Sequence, residues 1–347
     1  MRILILGTDY CALRFRDFFE RKLENDVFSF IKNSKNYIDY ITNADITDFC
    51  LANDINLVVV TEEKYILSNL CEELSEKNIT VFSPSVDVIN LTYSKAFAKK
   101  FIYKNQIPSP KFFIAEKISH GFDYIKTSRL PVAIKPDNHS YQEGTLFCET
   151  KKEAVKTIEK LFNSGNKKIV IEDYIEGKNL SIWTICDGYR AKIIGINYKY
   201  QNDIAYTKAN LLSNDIISKI QSKIISKTIN ALVEENNEYV GVLGFDIIIA
   251  KNNNPVLIGY NSFFDDISVD FYIDEEFTFE EIFQSTIEGS LFLKDILPDK
   301  TDFRLNIRDN NEIISIKAKT KSNLDRFVKE NDIDTKELFE AKKLWQI

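Results

Sequence analysis

Apolar residues recur along this chain in two spacings, and the switches between them outline its elements. Arg2 to Leu6 is a nearly unbroken apolar run that stops at Gly7-Thr8-Asp9, which reads as a buried strand and a turn. Leu13, Phe15, Phe18, Phe19 and Leu23 then follow at helical spacing. A second apolar run, Ile55 to Val60, precedes a helical stretch to about Lys77 and a short strand Ile79 to Phe82, broken by Ser83-Pro84-Ser85. Strands alternating with helices predict a parallel sheet covered on both faces, and a first domain over residues 1–88.

Beyond it the pattern changes. Residues 93–106 form a basic helical stretch ended by Ile107-Pro108-Ser109-Pro110. Strand signals cluster at Lys111 to Ala115, Pro131 to Lys135, Thr145 to Cys148 and Lys168 to Glu172. Thr150 with Glu153 three residues later is a capping box that opens a helix through Phe162. Ser181 to Cys186 and Ala191 to Tyr198 read as an antiparallel pair turned at Asp187-Gly188, and residues 215–235 as a long amphipathic helix. Two further strands, Val242 to Ile249 and Pro255 to Tyr260, are joined by Lys251 to Asn254. Thr278 with Glu281 signals another helix start, and the tail reads as a hairpin turned at Asp309-Asn310-Asn311 followed by one or two polar helices.

Composition narrows the chemistry. In 347 residues, 52 acidic and 45 basic side chains leave a net charge of −7, which disfavours a nucleic-acid partner. No apolar stretch is long enough to span a bilayer and no secretory leader is visible, so a cytoplasmic protein without a membrane partner is expected. The five cysteines are scattered without a C-x-x-C and the two histidines cannot form a His-rich metal site, so reduced structural thiols are expected. His120 and His139 are expected on surface loops. The 25 Phe and 16 Tyr are expected to fill the core and the faces between domains.

Four segments carry a family resemblance. They are Val81-Phe82-Ser83-Pro84-Ser85 with Tyr93-Ser94-Lys95-Ala96-Phe97-Ala98-Lys99; Leu130 to Lys135; Val170-Ile171-Glu172-Asp173-Tyr174-Ile175-Glu176-Gly177; and Val256-Leu257-Ile258-Gly259-Tyr260-Asn261. In this order the chain resembles the ATP-grasp ligases, and within them the glycinamide ribonucleotide synthetase (phosphoribosylamine–glycine ligase) family, over roughly residues 1–295. The resemblance implies a multidomain α/β and α+β fold: a Rossmann-like parallel sheet over 1–88, an ATP-grasp domain over 89–295 with its nucleotide-clamping part at 111–178, and a shortened C-terminal α/β domain over 296–347. It implies a C–N bond-forming ligase that phosphorylates a carboxylate with ATP before an amine attacks the acyl phosphate, with small-molecule substrates and with ATP and Mg²⁺ as cofactors. By the same resemblance Lys95 and Lys135 would touch ATP phosphates. The Glu172 carboxylate and the backbone of Asp173, Tyr174 and Ile175 would read adenine. Asn179 stands where the family has a ribose-binding Glu, and Asp246 and Asn261 would face Mg²⁺.

The departures from the family are concentrated at its ligand loops. Gly7-Thr8-Asp9-Tyr10-Cys11-Ala12 replaces a Gly-rich phosphate loop followed by Arg-Glu-His in the family, and Pro136 to Gly144 keeps one Gly of an ATP-covering loop rich in Gly and Lys. The loop of about Lys199 to Leu211 has no Gly. Gly259 stands in place of the metal Glu, Phe263 in place of an Arg, and Asp265 and Asp266 are the nearest carboxylates along the chain. These changes point to altered substrates; the alternative is a catalytically degenerate homologue acting as a binding or scaffold protein, with a protein partner, or as a nucleotide sensor.

Overall fold

The computed structural model describes residues 1–39, 42, 45–137, 144–200, 204–207, 211–273, 279–291, 303–309 and 312–330. The first sheet is parallel, with strands β1 (Arg2–Leu6), β2 (Asp26–Ser29), β3 (Asn36–Tyr37), β4 (Leu57–Val60) and β5 (Thr80–Phe82) in the order β3-β2-β1-β4-β5. β1 and β4 are central and buried along nearly their whole length, as unbroken apolar runs in a sheet covered on both faces should be. The helices are α1 (Tyr10–Glu20), α2 (Ile46–Ala52), α3 (Glu63–Ile66), α4 (Leu70–Glu76) and α5 (Val86–Tyr93).

Three expectations change here. Helix α1 ends at Glu20, so Leu23 lies beyond it, 97% exposed. The single helix expected up to Lys77 is two, divided at Asn69, whose φ of 60° is left-handed. The pattern gave no sign of β2, β3, α2 or α5. β2 alternates buried and half-buried positions over only four residues, too short a stretch for its period to stand out.

The second sheet, here the clamp, is antiparallel. Its strands are β6 (Phe112–Ala115), β7 (Val132–Pro136), β8 (Leu146–Cys148) and β9 (Ile169–Asp173), in the order β6-β9-β7-β8. Helix α6 (Lys95–Lys104) leads into it, and α7 (Ile118–Thr127) and α8 (Lys151–Asn163) pack on one face through Ile125, Ile158 and Leu161 against Val132, Ile134 and Ile171. Both hydrogen bonds of the Thr150–Glu153 capping box form. His120 sits exposed on α7 rather than on a loop; His139 lies outside the described residues.

The third sheet joins β10 (Gly177–Asp187), β11 (Ala191–Tyr200), β12 (Ile204–Thr207), β13 (Val240–Ala250), β14 (Pro255–Asn261), β15 (Phe303–Asp309) and β16 (Glu312–Ala318) in the order β14-β13-β10-β11-β12-β15-β16. The expected β10–β11 pair turns at Gly188, whose φ of 102° suits glycine. The long helix is α9 (Asn214–Ile220) and α10 (Ser226–Glu234) joined by a π-helical turn. Helix α11 (Phe279–Ile287) and α12 (Lys321–Glu330) complete the set; Thr278 of the expected cap lies outside the described residues. In the 296–347 stretch β15 pairs with β12 and β16 with β15, so both strands extend this sheet.

Phe15, Phe19, Phe82, Trp183, Phe264, Phe279 and Phe283 form one aromatic core between the first sheet, the third sheet and α11. No helix among the described residues is long and apolar enough to cross a membrane.

Candidate functional site

The clamp alternates with a period of two. Its outer positions carry α7 and α8, which leaves Phe112, Glu172, Ala133 and Phe147, paired in one row across the four strands, on the opposite face. Lys135, two residues beyond Ala133, shares that face. On the third sheet, Leu180, Ile182, Phe245 and Ile247 point into the core beneath. The alternate positions Asn179, Ser181 and Asp246 therefore share the other side, with Ser181 opposite Asp246 and Asp246 opposite Gly259.

Helix α6 supplies the third wall. Ser94 is its N-cap, accepting from the Phe97 amide, and the Ser94 hydroxyl and the Ala96 amide both donate to Asp137 Oδ1, at 2.8 and 2.7 Å. Asp137 thus turns its carboxylate onto the positive end of α6. Lys95 and Lys99 stand one turn apart on the helix and share a face.

Glu172 ties these pieces together. Its carboxylate lies 3.2 Å from Lys99 Nζ through Oε1 and accepts from Lys135 Nζ at 3.1 Å through Oε2. Lys135 also donates to the Ile258 carbonyl of β14 at 3.2 Å, and Lys99 to Ser109 Oγ at 3.0 Å. Glu172 and Lys99 are each 2% exposed and Lys135 6%. Burial pushes the Glu172 carboxyl up, but Lys135 and Lys99 outweigh it and hold the group below its ordinary value. Burial pushes Lys99 down to about 8, partly offset by Glu172. Lys95 is lowered by burial and then by the Lys135 charge, against the pull of Asp137, Glu172 and Asp246.

Several sequence expectations meet this geometry differently. The carboxylate expected to read adenine is turned inward as the counter-ion of two lysines. The backbone N–H of Asp173 donates to Lys111 at 2.9 Å and that of Tyr174 to Pro131 at 3.4 Å, both within the clamp. Tyr174 and Phe147 are exposed and meet edge to face, with 5.7 Å between ring centres; Ile175 is half-buried and Asn179 exposed. Lys99 is not among the site residues that the resemblance points to. Its signal was the i, i+4 spacing from Lys95.

Asp246 and Asn261 do come together. Asp246 accepts from Ser181 Oγ at 2.9 Å and from Asn261 Nδ2 at 3.1 Å. This pair does not fit a resident Mg²⁺. It contains one carboxylate, both of whose oxygens already accept a hydrogen bond, and Asn261 presents its amide nitrogen to it. Mg²⁺ wants an octahedron of oxygens, and no group of three potential metal ligands of the His, Cys, Asp and Glu types exists among the described residues. Asp265 and Asp266 do not compensate: Asp265 caps Ser268, and Asp266 pairs with Arg308 at 3.4 Å.

The turn after β1 is closed to anions. Asp9 accepts from the Ala12 amide and Thr61 Oγ1, both at 2.8 Å, and Glu62 accepts from the Thr8 amide at 2.7 Å. Carboxylates hold the Thr8 and Ala12 amides and put negative charge where a phosphate would sit. A Cβ on Gly7 would lie 2.0 Å from Thr61 Oγ1, so only glycine fits this turn.

Comparison with known proteins adds a lineage. Residues 93–269, just over half of the chain, match the family described as phosphoribosylglycinamide synthetase, ATP-grasp (A) domain. The phosphoribosylamine–glycine ligase of Helicobacter pylori is 27% identical over 237 residues, covering 64% of this chain and 55% of the relative. That of Clostridium acetobutylicum is 27% identical over 235 residues, covering 62% and 56%. The chain therefore spans about half the length of these curated relatives. Among solved structures, the phosphoribosylamine–glycine ligase of Thermotoga maritima superposes with a TM-score of 0.73 at 17% identity, covering 95% of this chain and 96% of that one. The biotin carboxylase of Campylobacter jejuni, solved with an ATP analogue, gives 0.68 at 17% identity over 88% of this chain and 75% of that one. At these identities the solved structures speak to the fold.

Proposed function

This chain belongs to the phosphoribosylglycinamide synthetase ATP-grasp family, and from that premise we propose that the cleft between clamp and third sheet binds ATP for a carboxylate–amine ligation on altered small-molecule substrates. The observation that carries the reading is the grouping of three lysines: Lys99 and Lys135 contact the Glu172 carboxylate, and Lys95 shares the α6 face of Lys99. Lys95 and Lys135 bring ammonium groups to one side of a poorly solvated cleft, where a polyphosphate is the complementary ligand.

In this reading Lys95 and Lys135 neutralise the nucleotide phosphates, and Glu172 and Lys99 are positioning residues that fix Lys135 through a buried hydrogen bond and an ion pair. The hinge from Asp173 to Ile175 and the exposed ring of Tyr174 border the base, and Asn179 the sugar. The reaction transfers the terminal phosphoryl group to a carboxylate oxygen and releases ADP. The amine nitrogen then bonds to the acyl carbon as phosphate leaves. Altered substrates are supported by the turn after β1, where Asp9 and Glu62 hold the Ala12 and Thr8 amides and put negative charge where the phosphate of a substrate would sit.

A second reading, nucleotide binding without turnover, is favoured by Asp246 facing Gly259 instead of a second carboxylate. Calorimetry with a non-hydrolysable ATP analogue, followed by an ADP-release screen of carboxylate and amine pairs beginning with glycine and phosphoribosylamine, tests both. Binding weakened about tenfold or more in Lys135→Ala, with ADP release on a pair other than the first, is the expected result. Binding with no release on any pair leaves the second reading, and no heat at millimolar nucleotide removes both.

A further inference from the structure

We propose that this cleft takes its nucleotide as the metal-free polyphosphate, with lysines standing in for the divalent cation, and that the missing side chain at Gly259 is what withholds the metal. The inference rests on the ATP-binding reading above and does not depend on turnover.

Its basis is the charge inventory of the cleft. Lys99 and Lys135 contact Glu172, at 3.2 and 3.1 Å, and Lys95 stands one turn before Lys99 on α6, near enough to feel the Lys135 charge. The remaining carboxylates that Lys95 feels are Asp137 and Asp246. Asp137 is committed to the N-terminus of α6, and Asp246 to Ser181 and Asn261. A divalent ion bound to ATP serves chiefly to neutralise phosphate charge and is held by one or two carboxylates besides the phosphates. Here Lys95 and Lys135 bring positive charge to the phosphate side, while the carboxylate side offers one group, both of whose oxygens already accept a hydrogen bond.

Gly259 localises the gap. It pairs directly with Asp246 across β13 and β14, and a Cβ built on it would lie 3.6 Å from Asp246 Oδ2, an ordinary contact. The position therefore has room for a side chain pointing at the lone carboxylate.

The test is titration of the full chain with a non-hydrolysable ATP analogue, once in EDTA and once in millimolar Mg²⁺, for the wild type and for Gly259→Glu. The wild type is expected to bind equally well in both, within about threefold. The variant is expected to bind at least about tenfold more tightly in Mg²⁺ than in EDTA, since two facing carboxylates recruit the ion and repel bare phosphate. Wild-type binding that requires Mg²⁺ overturns the proposal and leaves ATP binding standing. A Gly259→Glu variant that stays folded by circular dichroism and gains no Mg²⁺ dependence overturns the assignment of the gap. Absence of binding in every arm fails the ATP reading itself, and the proposal with it.

Discussion

Lys99 shows how one buried side chain sets a pH dependence. It is fully buried between Glu172 and Ser109, and burial lowers it from an ordinary 10.5 to about 8. Below pH 8 the lysine is protonated in folded and unfolded chains alike, and the folded chain bears the whole cost of burying the charge. Between about 8 and 10.5 the folded chain releases its proton while the unfolded chain keeps it, so Lys99 makes the protein more stable as pH rises through that window. In Lys99→Met this contribution is absent. Urea unfolding of both proteins at pH 7.5 and pH 10 is expected to show wild type gaining on the variant by up to about 3 kcal/mol. A stability difference between the two proteins that does not change with pH would show that Lys99 titrates normally.

Two helices show how elements are joined to the sheets. α1 and α6 each carry a carboxylate at their N-terminus, from Asp9 within the turn and from Asp137 across the cleft. Asp137 does double duty. It caps α6 and, because it follows β7, it pins the clamp to that helix. Asp137→Asn should weaken the cap and cost about 1 kcal/mol of stability. The same change removes a negative charge that Lys95 feels, so nucleotide affinity should rise several-fold, in the opposite direction to stability. Chemical denaturation and calorimetry on the one variant check both. Loss of affinity in parallel with stability would mean that Asp137 touches the ligand side of the cleft.

At the scale of the molecule, the clamp and the aromatic core are separate constructions. Among the described residues the clamp meets its neighbours through Lys135 to Ile258, Lys99 to Glu172 and Asp137 to α6, and through Tyr103 of α6 edge to face on Phe112. The first and third sheets are held by rings. Phe283 packs edge to face on Phe19 and tilted on Phe82, and touches Phe279 on its own helix. Phe283→Ala should cost about 3–5 kcal/mol by leaving a cavity in that core, with nucleotide affinity unchanged in the folded fraction. Thermal unfolding followed with and without nucleotide measures both, and a matching loss of affinity would show that the aromatic core and the cleft are coupled.

What the sequence determined by itself was local. Unbroken apolar runs made β1, β4, β7 and β9 legible, alternation and a Gly turn made the β10–β11 pair legible, and Thr150 with Glu153 marked a helix start, because each of these signals is complete within a few residues of chain. Lys95, Lys135, Glu172, Asp246 and Asn261 were legible only through the family resemblance of the segments that carry them. Their partners were not. Lys135 and Glu172 are 37 residues apart, and only the packing of the clamp against α6 decides that Glu172 serves two lysines rather than facing a base. The inward turn of Asp9 and Asp137, and the lone carboxylate of Asp246 opposite an empty position at Gly259, are likewise products of strand register and helix placement. Periodicity records which face of an element is buried; the direction in which a charge points is settled by what lies across from it.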